Sequence, residues 1–275
     1  MPALDNIDDK YCEFNLDEMI ELGRKYHDEY INNKPFPHIA IDDFMNPNVL
    51  DACNTDFPRT LDVDGKTFQR AQENLKSSFN PDFLPHTLRS MFYSFNARPF
   101  IAFLEELTGI RGLIPDPYFL GGGFHETLNG GHLSVHADFN HHKLLNLERR
   151  INALIYLNKD WKDEYGGHLE LWDASMKHRV KSIAPIFNRL VVFNTTATSF
   201  HGQPDAISHP QGKSRRSIAL YYYTATWDDT KRDRTTQFKS RPNSMDKIDF
   251  NVKIWEGIAE FVPPILFRKL RHLFK

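Results

Sequence analysis

From about residue 117 to 225 the chain is a succession of short strand-like runs with turn residues between them, and this rhythm limits the folds open to it more than any other feature. YFLGGGFHETL, HLSVHAD, RINALIYLN, GGHLELWD, HRVKSIAP, NRLVVFNT and RRSIALYYYT follow one another in order. Their spacing of about 10–20 residues suggests an all-β sandwich or barrel. No βαβ alternation occurs, which argues against a parallel sheet. The runs near 150 and 216 are rich in Ile, Leu, Ala and Tyr, as central strands are. The pairs Gly130–Gly131 and Gly166–Gly167 read as turns or bulges. Neither precedes an expected helix, so a nucleotide-cradling loop is a poor reading.

The flanks have a different texture. Residues 16–32 place Leu16, Met19, Ile20, Tyr26 and Tyr30 on a helical stripe, with Asn15 and Glu18 at capping-box spacing. FPHIAIDDF (36–44) alternates as a short strand. Asn46 and Pro47 have the chemistry of a helix start, for a helix ending near Asn54. Residues 58–83 are polar and without a period, which predicts a long loop or lid with Gln69, Arg70 and Lys76 as candidate substrate contacts. Residues 86–108 read as helical, with Pro99 near a helix start and Gly109 just past the end. The tail from 228 to 250 is polar and charged. Residues 264–275 make a short basic amphipathic helix carrying Leu266, Phe267, Leu270, Leu273 and Phe274 on one side. Docking on the body of the protein is its expected role, and weak peripheral contact with an anionic membrane the alternative.

Composition bounds the function classes. With 275 residues, 40% hydrophobic and 25% charged, the chain is an ordinary globular one with ample material for a core. A formal charge of −2 gives no global field to favour nucleic acid. The 22 phenylalanines predict a large aromatic core. Cys12 and Cys53 form neither a zinc spacing nor a disulfide framework, which points to a reducing, cytoplasmic setting. The acidic start MPALDNIDDK does not read as a signal peptide, and no run approaches the roughly 18 apolar residues of a membrane span.

The chemistry concentrates in GHLSVHADFNHH, residues 131–142. A strand puts residues i and i+2 on one face, so His136 and Asp138 can reach one ion together. His201, in SFHGQP after the strand NRLVVFN, is the best candidate for a third ligand. Two imidazoles and a carboxylate with open positions suit non-haem Fe(II), whereas the thiolates favoured by structural zinc are missing. The last strand opens with Arg215 and Arg216. Successive side chains point to opposite faces, so only one can enter a barrel. Arg215 shares its face with the small Ser217 and Ala219, and Arg216 with Ile218 and Leu220, which places Arg215 inside.

Taken together, HADFN, INALIYLNKDW, GGHLELWD, FNRLVVFN, FHGQP and RRSIALYYYT, in that order, resemble the Fe(II)/2-oxoglutarate-dependent dioxygenases, in their prolyl 4-hydroxylase-like branch. The resemblance covers about 117–225, with PFPHIAIDDF similar to the start of such a domain. It implies a mainly β fold with flanking helices (α+β). The core would be a double-stranded β-helix, jelly-roll or cupin-like, with N-terminal helices packed on it. The expected organisation is one catalytic domain over 1–275. Residues 1–116 give support and a lid, 117–225 the core, and 226–275 a C-terminal extension.

By the same resemblance, His136, Asp138 and His201 match the metal ligands and Arg215 the cosubstrate arginine, all four counted as catalytic. Ser217 stands two residues on, Tyr156 matches a tyrosine that bonds the same carboxylate, and Asn152 lines the pocket on that strand face. A cosubstrate tyrosine of the family would fall near Glu126, which cannot replace it. His125, His132, Phe139, Asn140 and Arg149 are candidate substrate contacts near the mouth. The implied cofactors are Fe(II), with 2-oxoglutarate and O2 as cosubstrates and ascorbate as a candidate stimulant. The implied reaction hydroxylates a C–H bond and releases succinate and CO2. The substrate stays open between a prolyl residue of a peptide or protein, a free amino acid, a saccharide and a lipid. The alternatives are a metal- and 2-oxoglutarate-binding sensor without turnover and a cupin-type metalloenzyme that does not use 2-oxoglutarate.

Overall fold

The computed structural model describes residues 13–58, 65–228, 230–244 and 246. Cys12 and the basic helix expected over 264–275 lie outside them. Helix α1 (Leu16–Asn32) begins where the Asn15 side chain accepts from the backbone N–H groups of Asp17 and Glu18. Strand β1 (His38–Ile41) and helix α2 (Pro47–Thr55) follow, with Asn46 capping α2 and Pro47 in its first turn. These three elements lie where the sequence pattern puts them.

The segment from 58 to 83 does not. In place of a structureless loop it forms a hairpin, β2 (Gly65–Arg70) and β3 (Glu73–Phe79), and β3 pairs antiparallel with a core strand. A register shift between Phe68 and Gln69 offsets the alternation, which is why no period of two shows in the sequence. The stretch 86–108 is likewise two helices, α3 (His86–Asn96) and α4 (Arg98–Thr108), broken at the extended Ala97. Pro99 has no N–H to give to the Phe95 carbonyl, and its ring would clash with it. That carbonyl instead accepts from the buried Tyr222 hydroxyl at 3.0 Å.

The remaining strands are β4 (Ile114–Pro115), β5 (Gly123–Ala137), β6 (His141–His142), β7 (Leu147–Tyr156), β8 (Leu169–Trp172), β9 (Arg179–Ile183), β10 (Leu190–Asn194), β11 (His201–Gln203), β12 (Arg215–Thr224) and β13 (Gln237–Phe238). The runs FHETL and HLSVHA are one long strand, β5, that continues through Gly130–Gly131. Ile207 exchanges backbone hydrogen bonds with these two glycines. The main path runs β1-β10-β7-β12-β5-β11-β8-β9, with all neighbours antiparallel, and curls into a nearly closed barrel-like core.

Strand alternation decides what faces what. Ile151, Ala153 and Ile155 of β7 and Ile218, Leu220 and Tyr222 of β12 are buried in one large cluster with Leu50, Phe92, Phe95, Phe100 and Phe103 of the helices. The aromatic core expected from the phenylalanine content is this layer. Asn152 and Leu154 of β7, with Arg215, Ser217 and Tyr221 of β12, line the barrel interior. Among the described residues no helix is long and apolar enough to cross a membrane.

Candidate metal centre and cosubstrate pocket

The barrel holds a cavity of about 720 Å³. At one part of its wall β5 ends and β11 begins, and the two strands pair with His136 directly opposite His201. Asp138 follows the last residue of β5. The Nε2 atoms of His136 and His201 lie 3.5 Å from the two carboxylate oxygens of Asp138, and all three ligand atoms fall within 4.8 Å of one another. Each imidazole is oriented in the same way. Nδ1 of His136 meets the Ser134 carbonyl at 2.9 Å, and Nδ1 of His201 the Ser199 carbonyl at 2.9 Å. A carbonyl only accepts, so Nδ1 carries the proton and the Nε2 lone pair faces the centre.

The electrostatics keep this set ready for a cation. Burial pushes the His201 imidazole down to about 4, against the opposing pull of Asp138, so the ring is neutral near pH 7. Burial alone would raise Asp138, but Arg149, His201 and His136 outweigh it and hold the carboxyl well below its usual range. Two imidazoles and an ionised carboxylate, with no thiolate, fit a divalent iron.

A second layer fixes Asp138. Asn152 donates to its Oδ2 at 2.8 Å, and Nη2 of Arg149 lies 3.2 Å from the same oxygen. Arg149 also gives Nε and Nη2 to Asn152 Oδ1 and lies over the rings of Tyr221 and Phe139. Among the described residues its buried Nη1 has no hydrogen-bond partner. The Asn152 side chain lines the cavity as expected, and its amide bonds both Asp138 and Arg149, which supports the ligand set.

Elsewhere in the same cavity Arg215 points inward, 8% exposed. Its Nε donates to the Gly167 carbonyl at 2.7 Å and its Nη2 to the Tyr156 hydroxyl at 3.2 Å. Burial lowers its pKa while Tyr156 opposes the shift, and burial raises that of Tyr156 while Arg215 opposes it. Among the described residues no carboxylate pairs with Arg215, and a buried cation of this kind fits an anionic ligand. The register lays Tyr156, Ser217, His125 and Ser78 side by side across β7, β12, β5 and β3, and Thr127 opposite Arg215. Burial together with Lys76 takes the His125 imidazole down to about 3, so it presents a neutral ring.

Glu126 is on the wrong face for the position near which a cosubstrate tyrosine was expected. It pairs with Arg216 at 3.0 Å on the outer side, beneath which lies Phe57, and its neighbours His125 and Thr127 face the cavity. The split of Arg215 inside and Arg216 outside is the one read from alternation. Of the residues expected at the mouth, His125, Phe139 and Arg149 line the cavity. His132 is bound to the Ala71 carbonyl, and Asn140 holds the backbone of Arg232 and Arg234. The hairpin adds Phe68, Arg70, Glu73 and Lys76 to the wall, with Lys76 paired to Glu73 at 2.8 Å, whereas Gln69 is exposed and outside it.

The sequence pattern missed the tail. Thr235, Thr236 and Phe238 line the cavity, and β13 pairs with β5 at Ala137 and His136, on the edge opposite β11. The Phe238 ring lies 5.4 Å from that of His136. A two-residue strand in a polar stretch leaves no periodicity to find.

Residues 122–245 match the 2OG-Fe(II) oxygenase superfamily, a span that contains every residue of the triad and Arg215. This segment is similar to 2OG-Fe(II) oxygenase domains. The same chain is 37% identical over 79 residues to prolyl 3-hydroxylase OGFOD1 of Mus musculus and 32% identical over 79 residues to that of Xenopus laevis. The matched stretch is 27% of this chain but only 14% and 15% of those two relatives, so the similarity concerns one part of longer proteins. In fold, the oxygenase domain and its helices resemble a prolyl hydroxylase from Trichoplax adhaerens solved with a hypoxia inducible factor peptide fragment. The TM-score is 0.56 at 15% identity, covering 82% of this chain and all of that one.

Proposed function

We propose that this chain is a 2-oxoglutarate- and Fe(II)-dependent hydroxylase acting on a prolyl residue of a peptide or protein. The observation that carries the chemistry is the pairing, in one cavity, of a preoriented His136–Asp138–His201 set with a buried arginine that has no carboxylate partner among the described residues. His136, Asp138 and His201 would hold the iron. Arg215, helped by the Tyr156 hydroxyl and Ser217, would hold the distal carboxylate of 2-oxoglutarate in a charge-assisted fork. Bound together, iron, 2-oxoglutarate and O2 supply the oxidising chemistry, which converts the 2-oxo acid to succinate and CO2 as a substrate C–H bond is hydroxylated.

The protein's own part is placement and exclusion of water. Asn152 and Arg149 keep the Asp138 carboxylate aimed inward. Phe139, Tyr221 and Phe238 give apolar walls near the ligands. Nη1 of Arg149, without a hydrogen-bond partner among the described residues, offers a buried donor suited to a peptide carbonyl beside the reacting residue. The prolyl assignment draws support from the similarity to the two prolyl 3-hydroxylases. Succinate release with Fe(II) and ascorbate, measured over a panel of proline-containing peptides, free amino acids and saccharides, tests it. Stimulation by peptides that disappears when proline is replaced by alanine is the expected result. Stimulation confined to non-peptide substrates would overturn the assignment.

A further inference from the structure

We propose that Gly167 is the positioning residue for Arg215 and sets the length of the diacid that the cavity accepts. This rests on the reading that Arg215 holds the distal carboxylate of the cosubstrate.

A free arginine has four side-chain torsions and would follow diacids of different length. Arg215 is pinned at two points, by Gly167 O on Nε and by Tyr156 Oη on Nη2, and the Tyr156 ring lies under its guanidinium at 4.8 Å. The Nε bond fixes the plane of the fork, because rotation about the Cδ–Nε bond would break it. The reach of the arginine is therefore set by where the Gly167 carbonyl stands.

That carbonyl stands where a side chain would be strained and tightly packed. Gly167 has φ +71°, and Gly166 before it has φ +69° with ψ −150°, a combination that essentially only glycine adopts. A Cβ on Gly167 would meet Arg215 Cδ at 3.1 Å, Ile207 Cγ1 at 3.3 Å and Trp161 Cζ2 at 3.5 Å. The arginine stem thus lies flat on this backbone. The turn is itself braced. Trp161 Nε1 donates to the Gly166 carbonyl at 3.0 Å, and Gly166 N–H donates to Asp163. The Trp161 ring packs edge-on against Tyr165 and at a tilt against His209. None of these groups belongs to the metal-ligand set, so cosubstrate length and metal binding should be separable.

The test compares the wild type with Gly167→Ala and Trp161→Phe. Trp161→Phe removes the indole donor while keeping an aromatic ring. Co(II) affinity is titrated first, then binding of 2-oxoglutarate and of 2-oxoadipate, one methylene longer, to the Co(II)-loaded protein. The expected result for Gly167→Ala is unchanged Co(II) affinity and about tenfold weaker 2-oxoglutarate binding. The preference for 2-oxoglutarate over 2-oxoadipate should narrow by at least about threefold, with a smaller shift of the same sign in Trp161→Phe. If Gly167→Ala does not fold, the shift in Trp161→Phe decides. Equal weakening of both diacids, or no change in either, overturns the proposal. Arg215→Ala is the control. If it leaves 2-oxoglutarate binding unchanged, the reading of Arg215 fails and this proposal fails with it. If it abolishes binding while the diacid preference never moves, only this proposal fails.

Discussion

His136 and His201 are direct register partners across the antiparallel pair β5 and β11, with ring centroids 4.5 Å apart. Each also lies against a phenylalanine ring, His136 by Phe238 and His201 by Phe193. Both rings rest on a backbone carbonyl two residues back, so the ligand atoms are placed by strand geometry. Replacing His136 or Asp138 by alanine is therefore expected to abolish Co(II) binding and 2-oxoglutarate turnover, while the far-ultraviolet circular dichroism spectrum keeps its shape. Dialysis of the wild type against a chelator should give the same loss, reversed by Fe(II). Succinate formation near the wild-type rate in either variant would remove the triad from the mechanism.

Asn152 acts through Asp138. Asn152→Ala takes away the 2.8 Å bond to Oδ2 and the acceptor that holds Arg149. The loss of such an outer partner typically costs about 10–100-fold in metal affinity. The expected result is that range of weakening in a Co(II) titration, with 2-oxoglutarate affinity at saturating metal changed much less. A variant weakened only in 2-oxoglutarate binding would return Asn152 to the cosubstrate site.

The two adjacent arginines should separate cleanly. Arg215→Ala is expected to raise the KM for 2-oxoglutarate at least about tenfold, since roughly 1.4 kcal/mol is one decade and a charge-assisted bond is worth about that or more. Arg216→Ala should leave this KM alone and lower the melting temperature. It strands Glu126, which is 8% exposed at its side chain and has only the Ser214 hydroxyl left. A buried acceptor losing its partner costs about 1–3 kcal/mol. The opposite assignment of the two effects would place the inward face of β12 one residue off.

Phe238 closes one side of the metal centre against the His136 ring. Phe238→Ala should speed the loss of Co(II) to a chelator and raise the ratio of succinate formed to substrate hydroxylated, as water gains access. Phe238→Leu should restore most of both. Identical metal-loss rates in wild type and Phe238→Ala would show that the tail is not part of the wall.

What the sequence made legible follows from periodicity. A period of two told Arg215 from Arg216, and the i, i+2 spacing put His136 and Asp138 together. Both readings need only local geometry. The hairpin over 65–79 was hidden because a register shift at Phe68 and Gln69 breaks its alternation, and because Arg70, Glu73 and Lys76 line a cavity where an apolar stripe would otherwise stand. The likeness gave only a neighbourhood at Glu126, because the face there is set by the register with Arg216. Phe238 was invisible for a different reason. Its partner, His136, is about a hundred residues away, and nothing local to a two-residue strand announces so distant a neighbour.

At its metal end β5 has β11 on one edge and β13 on the other. During synthesis the triad can come together once His201 and the strands around it have emerged. The flank beside His136 then still waits for residues 237–238. Until they are made, that backbone edge is open to any passing strand and the iron ligands are open to water. A chain ended between Thr224 and Gln237 would hold all three ligands and Arg215 yet lack the strand that covers this flank.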